Sequence, residues 1–270
     1  MVTIASVRPI CPKVGKTEAK QKDLQRIFQL VERAAKNGAD LICLPEDFLT
    51  QQINAEPLDG PLCTAISEKA RKHKVNIVAG IIEQDHDLKY NSTVVFDRNG
   101  AFLGSYHKTH LTKIEKEVFG LTPGQEISVL QLDIGIISII TCADMLFPEV
   151  ARCAVLKGAQ LIVFPHQQAE PSLDFERIMV RSRAQDNCVP IVCSTFAATP
   201  DWKCFPNWIV DARGRIIEEG PEGEGVAMAE LDLGVKVAIF DYIEAGKVDL
   251  SDIIRRYRRP ELYTAICKAK

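Results

Sequence analysis

Three side chains able to do chemistry stand at the ends of apolar runs. Glu46 closes LICLPE, Lys108 closes AFLGSYHK, and Cys142 follows GIISIIT. The runs read as strands, and in α/β architectures polar groups at the carboxyl ends of strands are the first place to look for a site. A carboxylate, an ammonium and a thiol brought together support nucleophilic attack coupled to proton transfer. Cys142 is the most pointed of the three, because the helical pattern PEVARCAVL follows only a few residues later. A nucleophile between strand end and helix start is exposed by the turn, and nearby backbone N–H groups can stabilise a thiolate or an oxyanion. Taken singly, each has a plainer reading: a structural cysteine, a solvated loop acid, a surface cation. The spacings, 62 residues from Glu46 to Lys108 and 34 more to Cys142, decide nothing; the shared location at strand ends does.

The histidines offer a rival. His107, His110 or His166 could partner Cys142 in a Cys-His pair. His107 and His110 could also suggest a metal, but positions three apart on an extended segment point to opposite faces, so no metal site is expected. Trp202, Phe205 and Trp208, together with the loop segments 50–60, 166–175 and 199–207, are candidates for a pocket wall, with core packing the alternative for the aromatics.

The elements that must position these residues repeat. GADLICLPE (38–46) is echoed by GAQLIVFPH (158–166), each after an amphipathic helical stretch and each with a glycine suited to a helix C-cap. VNIVAG (75–80) is echoed by VPIVCS (189–194), and STVVFDRNGAFLGS (92–105) by NWIVDARGRIIEEG (207–220), both hairpin-like. The offset is 120 residues at the first element and 114 at the second, and again 114 between Asp97 and Asp211. In this repeat His166 stands where Glu46 does, and Glu222 where Lys108 does, so one site per chain is expected. Strand runs apolar on both sides need cover on both faces. Two sheets with helices on their outer faces and each other on their inner faces supply it, which predicts a four-layer α-β-β-α sandwich with a pseudo-two-fold axis. A single doubly wound sheet is the competing architecture.

Composition sets the class. With 46% hydrophobic and 26% charged residues and a net charge of −3, the chain reads as an ordinary globular protein with no electrostatic call on nucleic acid or an anionic membrane. It lacks a signal-peptide-like start and any long apolar span. Nine cysteines without a CxxC pair read as reduced thiols, so a cytoplasmic protein is expected.

The ordered set of Pro45-Glu46, YHKTHL (106–111) and CADMLFPE (142–149) resembles the carbon–nitrogen hydrolase (nitrilase) superfamily. NSTVVFDRNG, LTPG (121–124), RSRAQDN (181–187) and RRPELY (258–263) extend the likeness over nearly the whole chain, so 1–270 is expected to be a single such domain. The resemblance implies the same sandwich fold, with Cys142 as nucleophile, Glu46 as general base and Lys108 as electrostatic stabiliser. It also implies a second glutamate after the lysine, for which Glu117 has the better spacing and Glu115 is the alternative. The backbone N–H of Ala143 is expected at the oxyanion, and His166, Gln167 and Trp202 at the substrate pocket. No cofactor or metal is needed, and a homodimer or higher oligomer is expected.

The chemistry can be argued from charge. A carboxyl near pKa 4.3 facing a thiol near 8.5 is a poor base, a mismatch of roughly 5–6 kcal/mol. Burial of Glu46 and the Lys108 ammonium beside Cys142 would narrow it, so the site should be enclosed and the thiol's pKa lowered. The resemblance implies hydrolysis of a small amide or N-carbamoyl compound through a cysteine thioester. Cys-Ala-Asp where true nitrilases carry Cys-Trp-Glu weighs against a nitrile. Leu146, where many relatives carry arginine, weakens the inference of an acidic substrate. Nitrile hydrolysis and a non-catalytic binding relative are the alternatives.

Overall fold

The computed structural model describes residues 1–12, 17–49, 55–167, 173–199, 205–241 and 246–267. In chain order the strands are β1 (Val2–Arg8), β2 (Leu41–Cys43), β3 (Asn76–Asp85), β4 (Leu88–Phe96), β5 (Phe102–His107), β6 (Val129–Leu132), β7 (Gly135–Ile139), β8 (Leu161–Pro165), β9 (Ile191–Ser194), β10 (Trp208–Val210), β11 (Ile216–Glu219) and β12 (Gly225–Leu231), followed by a hairpin of β13 (Ala238–Asp241) and β14 (Gly246–Asp249). The helices are α1 (Thr17–Lys36), α2 (Pro61–His73), α3 (Lys113–Glu117), α4 (Pro148–Leu156), α5 (Leu173–Asn187) and α6 (Leu250–Arg256). Two six-stranded sheets result, ordered β12-β1-β2-β3-β4-β5 and β11-β10-β9-β8-β7-β6.

Alternation along each buried strand decides the layers. Ile42 and Ile77 face outward and pack with Ile27 and Val31 of α1 and Ile66 and Ala70 of α2. Ile162, Phe164 and Ile191 do the same against Val150 and Val155 of α4 and Val180 and Ala184 of α5. The inner faces meet in a third cluster, where Leu41, Cys43, Val78 and Val95 of one sheet pack with Leu161, Val163, Val192 and Ile209 of the other. This is the expected α-β-β-α sandwich.

The repeat holds at the level of register. Cys43 pairs with Val78, Val78 with Val95 and Val95 with Gly104. At the matching positions Val163 pairs with Val192, Val192 with Ile209 and Ile209 with Glu218. Even the register shift recurs, at Val95/Phe96 and at Ile209/Val210. Gly38 and Gly158, both at positive φ, end the helices before β2 and β8 as their C-cap reading required. In both hairpins an aspartate side chain accepts two turn amides: Asp97 those of Asn99 and Ala101, and Asp211 those of Arg213 and Arg215. Each copy has one strand more at its front, β1 and β7, and one outer strand, β12 and β6; the echo did not include them, although the run GIISIIT that forms β7 read as a strand by itself.

Candidate active site

Glu46 lies just past β2, where the chain crosses β3 in close contact. A side chain at Gly80 of β3 would stand 2.6 Å from the Cα of Glu46 and the carbonyl oxygen of Pro45, so only glycine fits there. The crossing is tied by Leu44 N–H to Val78 O and Phe48 N–H to Gly80 O. Asp47 takes φ +40, a strained value for a residue with a Cβ, and the bend leaves Glu46 4% exposed.

Lys108 leaves β5 with 1% exposure, its backbone N–H bonded to Asn91 O and its carbonyl accepting from Gly124 N–H. A Cβ at Gly124 would overlap the His107 carbonyl, which accounts for the glycine of LTPG. The ammonium donates to Glu46 Oε1 at 2.9 Å and to both oxygens of Glu115, at 2.8 and 2.9 Å. Burial alone would lower its pKa, but the field of Glu46 and the bonds it donates to Glu115 reverse this and hold it raised, as an ammonium. Asn91 of β4 completes the group by donating to Glu46 Oε1 and Glu115 Oε1, each at 2.7 Å.

The glutamate at the lysine is therefore Glu115, not Glu117. The reason is local. Thr112 and Glu115 form a capping box: the Glu115 carboxylate accepts from Thr112 N–H at 2.8 Å and Thr112 Oγ1 accepts from Glu115 N–H at 3.3 Å. That turns Glu115 inward, while Glu117, two residues on, faces solvent beside Lys113 at 3.8 Å. Burial pushes the Glu115 carboxyl up, but Lys108 and the surrounding donors outweigh it and keep it below the usual range.

Cys142 begins a 3-10 turn, Cys142–Leu146, and sits at φ +48, so the strand-to-turn junction is strained at the cysteine itself. Asp144 N–H is the first to bond back, to Thr141 O at 3.0 Å, so the amides of Cys142 and Ala143 precede the first bond of the turn. The turn is anchored through Asp144, fully buried, which accepts from Thr141 N–H, Tyr106 Oη, Thr109 Oγ1 and His110 N–H at 2.7–3.1 Å. One carboxylate thus ties the lysine loop to the cysteine turn. Burial raises its pKa, but these donors prevail and hold it low.

The Cys142 thiol feels Glu46, Lys108 and Glu115, and the backbone of Gln167 acts on it to lower its pKa. Its pKa is raised, contrary to the sequence expectation. Burial and the Glu46 charge outweigh the lowering by Lys108 and the Gln167 backbone. At rest Cys142 is a protonated thiol near Glu46, which fits proton removal during an attack by sulfur better than a standing thiolate.

The family now follows from the chain itself. The sequence model described as Carbon-nitrogen hydrolase matches residues 3–238. The chain belongs to the carbon–nitrogen hydrolase family. Among curated relatives, the 2-oxoglutaramate amidase of Bacillus subtilis (strain 168) is 32% identical over 222 residues, covering 78% of this chain and 85% of that protein. The omega-amidase NIT2 of Xenopus tropicalis is 29% identical over 266 residues, covering 91% and 92%. A carbon-nitrogen hydrolase from Helicobacter pylori G27 shares the fold with a TM-score of 0.82 at 21% identity, covering 99% of this chain and 98% of that one. An amidase from Nesterenkonia sp. AN1, whose structure carries the acetamide moiety of fluoroacetamide added covalently at its active-site cysteine, does so with a TM-score of 0.79 at 20% identity, covering 98% and 96%.

The remaining sequence candidates of this carbon–nitrogen hydrolase divide. Gln167 is at the site: besides its backbone acting on the thiol, its Nε2 donates to Glu46 O at 2.7 Å. The histidines are engaged elsewhere. His107 pairs with Glu83 at 2.8 Å and stacks on Tyr90, His110 pairs with Asp144 at 2.9 Å and stacks on Phe147, and His166 lies buried 3.3 Å from Glu176. Phe205 and Trp208 are core residues, 3% and 0% exposed, rather than pocket wall. Trp202 lies outside the described residues. No group of three or more potential metal ligands occurs among the described residues. A recess of about 450 Å³ bordered by Ala143, Leu146, Phe147, His110 and Lys116 opens beside the cysteine turn. A recess of about 540 Å³ between α4, α5 and α6 touches none of the site residues. Asn91 and Asp144 were not singled out from sequence. Their signals were present, in the polar start of NSTVVF and in the Asp of Cys-Ala-Asp, but neither residue type says what it will hold.

Proposed function

We propose that this chain hydrolyses the C–N bond of a small amide or N-carbamoyl compound through a thioester on Cys142. The observation that carries the reading is the buried Lys108 ammonium bridging Glu46 and Glu115, in whose field the Cys142 thiol sits at a strained turn. Glu46 takes the thiol proton as sulfur attacks the carbonyl carbon. The developing oxyanion faces Lys108 and the Ala143 N–H. As the tetrahedral centre collapses, the proton passes from Glu46 to the leaving nitrogen, ammonia or an amine departs, and a thioester remains. Glu46 then takes a proton from water, the resulting hydroxide adds to the thioester, the tetrahedral centre expels the sulfur, Glu46 returns the proton to it, and the acid product leaves. Glu115 holds the lysine and offsets its charge. The relatives named for 2-oxoglutaramate and ω-amides support the amide reading.

The test is ammonia release across a panel of amides, carbamoyl compounds and nitriles, with the mass added to Cys142 read after trapping. Turnover of an amide or carbamoyl compound, abolished in Cys142→Ala, is expected. Release from nitriles alone would replace the reading with nitrile hydrolysis, and binding without release would replace it with a non-catalytic role. We further infer one domain over 1–270, because Leu250 and Ile254 of α6 pack on Cys188, Ala212 and Val237. A cytoplasmic setting is supported by the free thiols of the described cysteines. Self-association is supported by exposed Phe175, Ile178, Tyr257, Leu262 and Ile266, and light scattering tests it.

A further inference from the structure

The buried pair His166 and Glu176 has no part in the chemistry above. Both side chains are fully buried, one just after β8 and the other on α5. Neither ring nitrogen of His166 and neither carboxyl oxygen of Glu176 has a hydrogen-bond partner among the described residues, yet Nδ1 and Oε1 stand 3.3 Å apart. At that distance a small rotation aligns an O–H···N bond. Two orphaned polar side chains in a packed interior are costly, so their retention calls for a role. The role is indicated by the next residue. The Gln167 backbone bears on the Cys142 thiol and acts to lower its pKa, and the Gln167 side-chain amide donates to Glu46 O at 2.7 Å. The His166 backbone is fixed by its N–H to Ser194 O, and its ring stacks on Phe164 at 4.5 Å. Glu176 is the polar group in reach to set the ring's orientation.

We propose that His166 and Glu176 are positioning residues: a neutral Glu176 carboxylic acid donates O–H to Nδ1 of His166, and the ring so held seats Gln167 against Cys142. The charged and titratable groups around them fit this state. Burial, aided by Arg8 of β1, lowers the His166 pKa to about 3. Burial raises that of Glu176 to about 9, and Cys193 of β9 faces it as a neutral thiol. Near neutrality both members are uncharged, with a proton on the acid available to the ring.

The inference rests on the amidase reading for its kinetic arm alone; its primary test is reactivity of the thiol. Alkylation of Cys142 by iodoacetamide is followed by peptide-resolved mass spectrometry against pH. In Glu176→Leu, and in His166→Phe, which keeps the stack but has no nitrogen, the rate at pH 8 falls about tenfold and the thiol titration moves to higher pH, the scale of one hydrogen bond to a thiolate. Glu176→Gln, whose amide can also donate to Nδ1, stays within about twofold of wild type. With an amide substrate, Glu176→Leu lowers kcat and leaves KM unchanged. Either apolar variant, cooperatively folded and alkylated with the wild-type rate and pH profile, overturns the proposal. So does a Glu176→Gln variant as slow as Glu176→Leu. A wild-type enzyme that turns over no amide would sink the amidase reading, while the alkylation series would still decide this one.

Discussion

At the scale of single residues, the site depends on a lysine caught between two carboxylates. Breaking a buried ion pair leaves an uncompensated charge, and that cost exceeds any gain from making the pair, about 3–5 kcal/mol for removal of one partner. Glu115→Gln therefore weakens Lys108's hold and disturbs the ammonium proposed to face the oxyanion. The expected result is a loss of kcat/KM of about 100-fold or more. Glu117→Gln, at a solvent-facing side chain, leaves activity unchanged and moves stability by no more than about 0.5 kcal/mol. Steady-state kinetics on the two variants decide between the glutamates; equal losses would contradict the geometry. The distinction was legible in the sequence, because Thr-Lys-Ile-Glu over 112–115 is a capping-box signature that turns its glutamate back toward the helix start. Spacing to Pro123-Gly124 favoured Glu117 instead, and spacing along a chain is a poor guide where a short helix intervenes.

At the scale of elements, what places the site is a few close approaches between segments. Gly80 lets the stretch after β2 lie on β3, and Asp144 fastens the turn after β7 to the loop after β5. Gly80→Ala forces residues 45–47 away by the full overlap of a methyl group, an overpacking expected to cost about 1–3 kcal/mol and to lower kcat by misplacing Glu46. Asp144→Asn removes the charge on which the His110 ring and four other donors converge, and a loss of about 2–4 kcal/mol in denaturant unfolding is expected. Because the Asp144 carboxyl is held low in the fold, its contribution is present above the ordinary aspartate range and fades as pH falls. The asparagine variant should lose that part of the acid limb. The strands and hairpin turns were readable because their signals are local: short continuous apolar runs, a C-cap glycine, an aspartate two residues before a turn amide. The approaches themselves were not, because Gly80 meeting Glu46, or Asn91 meeting Glu115, depends on which segments the topology stacks. The first strand of each copy escaped the repeat for a related reason. β1 and β7 share place and pairing but not residues, since β1 ends in Arg8 where β7 leads into the cysteine turn.

At the scale of the whole molecule, two copies of one layer pair share an apolar interior, and their equivalent positions carry different chemistry. Glu46 pairs with a lysine in one copy, while His166 in the other is sealed beside Glu176. That asymmetry has a thermodynamic signature. Glu176 goes from an ordinary 4.5 to about 9 on folding, so the folded chain holds a proton that the unfolded chain has lost, and stability falls as pH rises from about 4.5 to about 9. His166 goes from 6.5 to about 3, so the unfolded chain gains a proton the folded one refuses, and stability falls as pH drops from about 6.5 to about 3. Between about 4.5 and 6.5 the two slopes cancel. Their joint contribution is thus a plateau in weak acid with a falling limb on each side, each at most about 1.4 kcal/mol per pH unit, or about 3–6 °C of Tm per unit. Glu176→Leu should flatten the alkaline limb and leave the acid limb in place, and His166→Phe should do the reverse. Calorimetric scans from pH 3 to pH 9 give both limbs directly. Parallel curves for Glu176→Leu and wild type above pH 7 would mean that the carboxyl is not held neutral in the fold, which would remove the O–H donor that seats Gln167 and leave the second copy with only a structural part in the reaction.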